Sequence, residues 1–289
     1  IADSCMWLFK KFGIVFLIVY GLYYIFASCY ILSLFNIFVG NIMSLNVSPF
    51  FLTLAVVVTA SYAACKGIEG IARGGIIIFF IICIAIIFIV ITLIPQVDIM
   101  NYSPLLYKNM DETLNGVFYI LSLAFYIPLA GILFPFIKGN VKKTVCILNF
   151  SVYGILILAM FIVSGALGDY LKTQTFPIYS ATSVAEIGVF RRLDAVYLGI
   201  FTMGLFITIS LFLLAFYLVM KKMLGEKRGK FIVALGDILV LLISLVLPLF
   251  SNLFYNMKFI LLFTILTSFF IPIILLIRYN ILKKKGEVK

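Results

Sequence analysis

The chain has 289 residues, 65% of them hydrophobic and 11% charged, with a mean hydropathy of +1.25. Soluble domains are roughly 45–50% apolar, so this composition excludes a soluble fold. Its long continuous apolar runs also exclude an outer-membrane barrel, which alternates over ~10-residue segments. The net charge of +11 sits almost wholly in short connections, without a basic stripe interleaved with aromatics, so it is a topology signal and not a nucleic-acid footprint.

Apolar stretches of about 20 residues give eight membrane helices, at residues 12–40, 50–64, 75–95, 114–137, 144–168, 195–220, 231–251 and 258–277. The expected fold is an all-α polytopic membrane protein, a single transmembrane domain over 1–289. No charge lies between Lys11 and Lys66, so the first break rests on turn residues, with Ser48-Pro49 as cap and first-turn pair of the second helix. That helix runs into an inward connection, Lys66 to Arg73. Residues 169–194 form the longest polar interval, with six charges between uncharged runs. Ser183 and Glu186 there have capping-box spacing, which predicts a short amphipathic helix starting at the serine. The chain starts at Ile1 with no signal-peptide pattern ahead of the first span, which reads as the later part of a longer product.

Lysine and arginine placement sets the orientation. With the N-terminus in the cytoplasm, five of the 22 basic residues (Lys108, Lys172, Arg191, Arg192 and Lys258) face outward and the other 17 inward. Both ends are then cytoplasmic and the 169–194 loop is external.

Histidine is absent, which removes the commonest general base and metal ligand. The five cysteines lack paired spacing and read as small hydrophobes. Asp111 and Glu112 are adjacent, so they point apart on a helix. No hydrolase motif or phosphate loop appears. Neither enzyme activity nor a metal or other cofactor is expected.

The fourth span breaks its own helix. Pro128 cannot donate to the Ala124 carbonyl, and Gly131 and Pro135 weaken the next turn. Backbone groups freed at that depth need partners. A bound substrate or ion is one source, with Ser122, Phe125, Tyr126, Pro128 and Gly131 around it; neighbouring Ser or Thr hydroxyls are the other. In the first span Tyr20, Tyr23, Tyr24 and Ser28 share a semi-polar stripe that either lines a cavity or packs on another helix. Thr202, Thr208 and Ser210 make a comparable row in the sixth. Pro248 and Pro272 each follow a serine by four residues, Ser244 and Ser268, whose carbonyls lose a donor. Asp237 is the clear intramembrane acid, a candidate for proton or cation coupling or a partner for Lys227 or Lys230.

Three stretches carry a family resemblance: Lys66-Gly67-Ile68-Glu69 with Ala72-Arg73; Leu133-Phe134-Pro135-Phe136; and Phe176-Pro177-Ile178-Tyr179 followed by Glu186-Ile187-Gly188 and Arg192-Leu193-Asp194. They resemble the B subunit of spore germinant receptors, the GerAB-type endospore germination permeases. That family is similar to the amino acid–polyamine–organocation transporters, built as two inverted repeats of five helices. The resemblance implies ten helices. With eight counted, the motif register places the first span as the family's third and the missing pair ahead of Ile1. It implies a transporter-like cavity, formed partly by the fourth span, that binds a small germinant such as an amino acid; Tyr24, Ser28 and Thr202 of the semi-polar rows are further candidate ligand contacts. It implies A- and C-type receptor subunits as partners and the spore inner membrane as location. The 169–194 loop, with Pro177, Glu186, Arg192 and Asp194, becomes a gating or partner-contact element. Where many members carry glycine–aromatic–glutamate, this chain has Tyr126-Ile127-Pro128, so that acidic contact is absent. An amino-acid permease of the same superfamily is the alternative function; a truncated product that assembles only with other chains is a third reading.

Overall fold

In lipid a backbone amide has no partner except its own helix, and every regular element among the described residues is helical. The computed structural model of the chain describes residues 2–43, 48–102, 114, 116–117, 126–137, 139–184, 194–225, 229–247 and 257–284. Within them α1 spans Ala2–Phe9, α2 Gly13–Met43, α3 Pro49–Cys65, α4 Gly67–Leu93, α5 Ile127–Leu133, α6 Val141–Leu167, α7 Pro177–Val184, α8 Asp194–Leu224, α9 Gly229–Val246, α10 Met257–Ile265 and α11 Ile271–Lys284. Among the described residues five stretches are long and apolar enough to cross a membrane: Gly13–Gly40, Gly67–Gln96, Val141–Thr173, Asp194–Leu224 and Leu261–Lys284. Phe50–Cys65, Ile127–Phe136 and Phe231–Val246 are shorter apolar helices.

Local chemistry explains several boundaries. Ser48 Oγ accepts from the Phe50 amide at 3.3 Å with Pro49 in the first turn of α3, and Asn140 Oδ1 caps α6 through the Lys143 amide at 3.2 Å. Lys66 to Arg73 is not a loop. Gly67 turns the chain with a φ of 82°, a left-handed conformation suited to glycine, and α4 begins there, so Glu69 and Arg73 lie in its first turns. α1 was not anticipated: it folds back on α2 and α11, burying Cys5 and Leu8.

The chain divides into two compact units. The first comprises Ile1–Ile71, Asn109–Phe136 and Phe206–Lys289. In it α9 packs on both α2 and α3, and Leu17, Tyr20, Tyr24, Leu32, Phe38, Val57, Phe212 and Val240 are buried.

The second comprises Ala72–Lys108 and Ile137–Leu205. Its core joins Ile89 and Leu93 of α4, Val163 and Leu167 of α6 and Ala181 of α7, with Tyr197 and Ile200 of α8 against it. The connection after α4 folds onto α6 at Gly165, whose carbonyl accepts from the Asp98 amide at 3.1 Å and from Asn101 Nδ2 at 2.7 Å. Tyr102 donates to the Phe161 carbonyl at 2.9 Å and stacks on the Phe161 ring with centroids 4.5 Å apart.

The short helix expected between the fifth and sixth spans is present but starts elsewhere. α7 runs from Pro177 to Val184, with the proline at a position where its missing N–H costs nothing. Ser183 therefore lies in the last turn, where its hydroxyl donates to the Ser180 carbonyl at 2.8 Å. Glu186 and Arg192 lie outside the described residues. Ser180 Oγ donates to Gln174 Oε1 at 2.7 Å, and Tyr179 donates to Asp194 Oδ2 at 3.2 Å. The segment is thereby tied to its own unit at both ends.

Candidate functional site

The broken fourth span is described from Tyr126 onward; Ser122 and Phe125 lie outside the described residues. Tyr126 precedes the first turn of α5, which begins at Ile127 with Pro128 in that turn, and Phe134–Phe136 tightens into a 3-10 turn. Pro128 and Gly131 are buried. Tyr24 donates to the Pro128 carbonyl at 2.9 Å across 104 residues of sequence.

That bond belongs to a set. In the helix formed by α10, α11 and the π turn Leu266–Phe270 between them, the Ile271 amide bonds the Leu266 carbonyl. The Thr267 carbonyl thus loses its ordinary donor, Ile271, and the wider-turn donor would be residue 272, a proline with no N–H. Tyr20 fills the vacancy, donating to the Thr267 carbonyl at 2.8 Å. Tyr23 shares a hydrogen bond with Thr264 Oγ1 at 3.3 Å.

Further along α2, Ser33 donates to the Ser244 carbonyl at 3.3 Å. A helix continuing past Val246 would offer that carbonyl only Pro248, which has no N–H and lies outside the described residues. Helix α2 is therefore a row of donors that partners carbonyls on three other helices. In the tyrosine stripe, Tyr20, Tyr23 and Tyr24 are buried with their hydroxyls engaged on other helices.

Other anticipated residues are placed differently. Ser28 is buried and donates to the Tyr24 carbonyl at 2.9 Å. Thr202 belongs to the second unit and donates to the Leu198 carbonyl at 2.8 Å, while Ser210 donates to the Phe206 carbonyl at 2.7 Å. Such back-bonding satisfies a hydroxyl within its own helix. Asp237 takes Ser61 as partner, with Ser61 Oγ donating to Oδ2 at 2.6 Å, and its Oδ1 is buried without a hydrogen-bond partner. Lys227 and the Lys230 side chain lie outside the described residues. Among the described residues no group of histidine, cysteine or carboxylate side chains could hold a metal ion. Sequence reasoning missed Ser61, although a serine four residues before Cys65 is one helical turn from the end of α3, where α9 packs.

Long apolar helices, a proline-broken segment and interhelical donors that replace missing amides define an all-α polytopic membrane protein. A family model for spore germination proteins, the spore permease family, matches residues 6–248. The chain belongs to that family, as its three motif stretches implied. No curated protein and no solved structure matches the chain.

Proposed function

We propose that the chain is an integral membrane subunit of a spore germinant receptor, binding a small germinant, an amino acid, in a transporter-like cavity. Membership of the spore germination protein family over residues 6–248 carries this reading. The broken segment from Tyr126 to Gly131 supports the position of the cavity, because interrupted helices at membrane depth offer unpaired backbone groups to a ligand. In this proposal Tyr126, Pro128 and Gly131, with Ser122 and Phe125 before them, contact the ligand. Tyr24, bonded to the Pro128 carbonyl, is a positioning residue, and Ser28 acts through it. Thr202 is the weakest member of the set, its hydroxyl being engaged within its own helix.

The subunit acts in the spore inner membrane with A- and C-type partners, both termini cytoplasmic, as the lysine and arginine distribution favours. The 169–194 segment faces outward as a gating or partner-contact element through Pro177, Glu186, Arg192 and Asp194. No catalytic step is assigned to it. Binding shifts an equilibrium between two conformations by the ligand's differential affinity for them. Spores lacking the gene, tested over a panel of amino-acid germinants, are expected to lose the response to at least one; unchanged responses to every germinant would contradict the reading.

Asp237 favours a second reading, an amino-acid permease of the same superfamily coupled to a proton. Saturable, ion-dependent uptake of labelled amino acids into vesicles, abolished by Asp237→Asn, distinguishes it.

A further inference from the structure

Asp237 borders a cavity of about 250 Å³ in the first unit, lined by Ala64 and Cys65 of α3, Leu213, Phe216 and Tyr217 of α8 and Val233 of α9. From these features we infer a second binding site, distinct from the proposed germinant site on α5, for a small organic ammonium ion with an apolar body. Asp237 is its counter-ion.

Three observations select that class. One carboxylate oxygen is held by Ser61 while the other is buried without a partner, so a cation in the adjoining cavity offsets a charge whose isolation is costly. Among the described residues the rest of the lining is two aromatic rings, aliphatic side chains and a thiol. Aromatic faces beside a carboxylate suit a substituted ammonium through cation–π attraction, whereas a hard inorganic cation needs a shell of about six oxygens that this lining does not supply. Finally, among the described residues the lining contains no lysine or arginine, so it offers the carboxylate of a zwitterionic amino acid no cationic partner. The volume lies below the range of drug-sized pockets, roughly 300–1,000 Å³, and suits a molecule of a few carbons.

Cys65 gives a direct readout, because it lines the cavity and is exposed, whereas Cys5 and Cys29 are buried. In the purified full chain carrying Cys83→Ser and Cys146→Ser, maleimide labelling of Cys65 is followed with 3-methylbutylamine, 3-methylbutanol or leucine present. The amine is expected to slow labelling about tenfold at ten times its Kd, the alcohol and leucine far less. Asp237→Asn should abolish protection. Val233→Trp, which fills the cavity and keeps the carboxylate, should do the same, so the inference remains testable if the Asn variant does not fold. Equal protection by the alcohol or by leucine, protection that survives in folded Asp237→Asn, or no protection by the amine overturns it. None of these outcomes depends on a germination response, so this site and the proposed germinant site stand or fall separately.

Discussion

Tyr20→Phe is expected to destabilise the protein more than Tyr24→Phe, although both remove one buried hydroxyl from the same stripe. The difference lies in what each leaves behind. The Thr267 carbonyl has lost its ordinary amide donor to the π turn and meets a proline at the next position, so without Tyr20 it is buried and unsatisfied. Leaving such a group unpaired costs about 1–3 kcal/mol. The Pro128 carbonyl lies inside α5, where helical geometry also gives it the Ile132 amide. Loss of Tyr24 therefore removes only an interhelical bond, worth about 0.6 kcal/mol on average in membrane proteins. Thermal unfolding in detergent micelles checks the order. Equal losses would mean that the π turn relaxes to an ordinary helix once Tyr20 is gone.

Gly165→Val is expected to detach the segment after α4 from α6, at a cost of about 3 kcal/mol. A Cβ at residue 165 would lie 2.1 Å from the Tyr102 hydroxyl and 2.8 Å from Val97 Cγ1. Side chains can move, but Tyr102 is held by its bond to the Phe161 carbonyl and its stack on that ring. Movement there also strains the Asp98 and Asn101 contacts with the Gly165 carbonyl. Chymotrypsin cleavage after Tyr102 should accelerate in the variant; an unchanged rate would show that the contact yields without undocking.

The all-helical polytopic class was legible because lipid permits few ways to satisfy a backbone, and long apolar runs leave only the helical one. The cap at Ser48 and the disturbance at Pro272 were legible for a related reason, since each depends on residues within one turn. Interhelical pairing was not. Nothing near Tyr20 in sequence indicates Thr267, 247 residues away, and the π turn that creates the need for a donor arises from register and not composition. Asp237 stands out as a rare intramembrane acid, yet its partner Ser61 lies 176 residues away. At Ser183 the three-residue interval to Glu186 suggested a helix start, but the helix that contains the serine begins at Pro177.

The central claim is that α5 lies in a germinant site, and equilibrium binding of a labelled amino-acid panel to the purified full chain tests it most directly. Wild-type protein is expected to bind at least one amino acid saturably. Gly131→Leu, which places a bulky side chain at a buried position of the break, should weaken that binding at least about tenfold, or 1.4 kcal/mol, without loss of folded protein. Saturable binding that Gly131→Leu leaves unchanged, or no binding of any amino acid by the wild type, would contradict it.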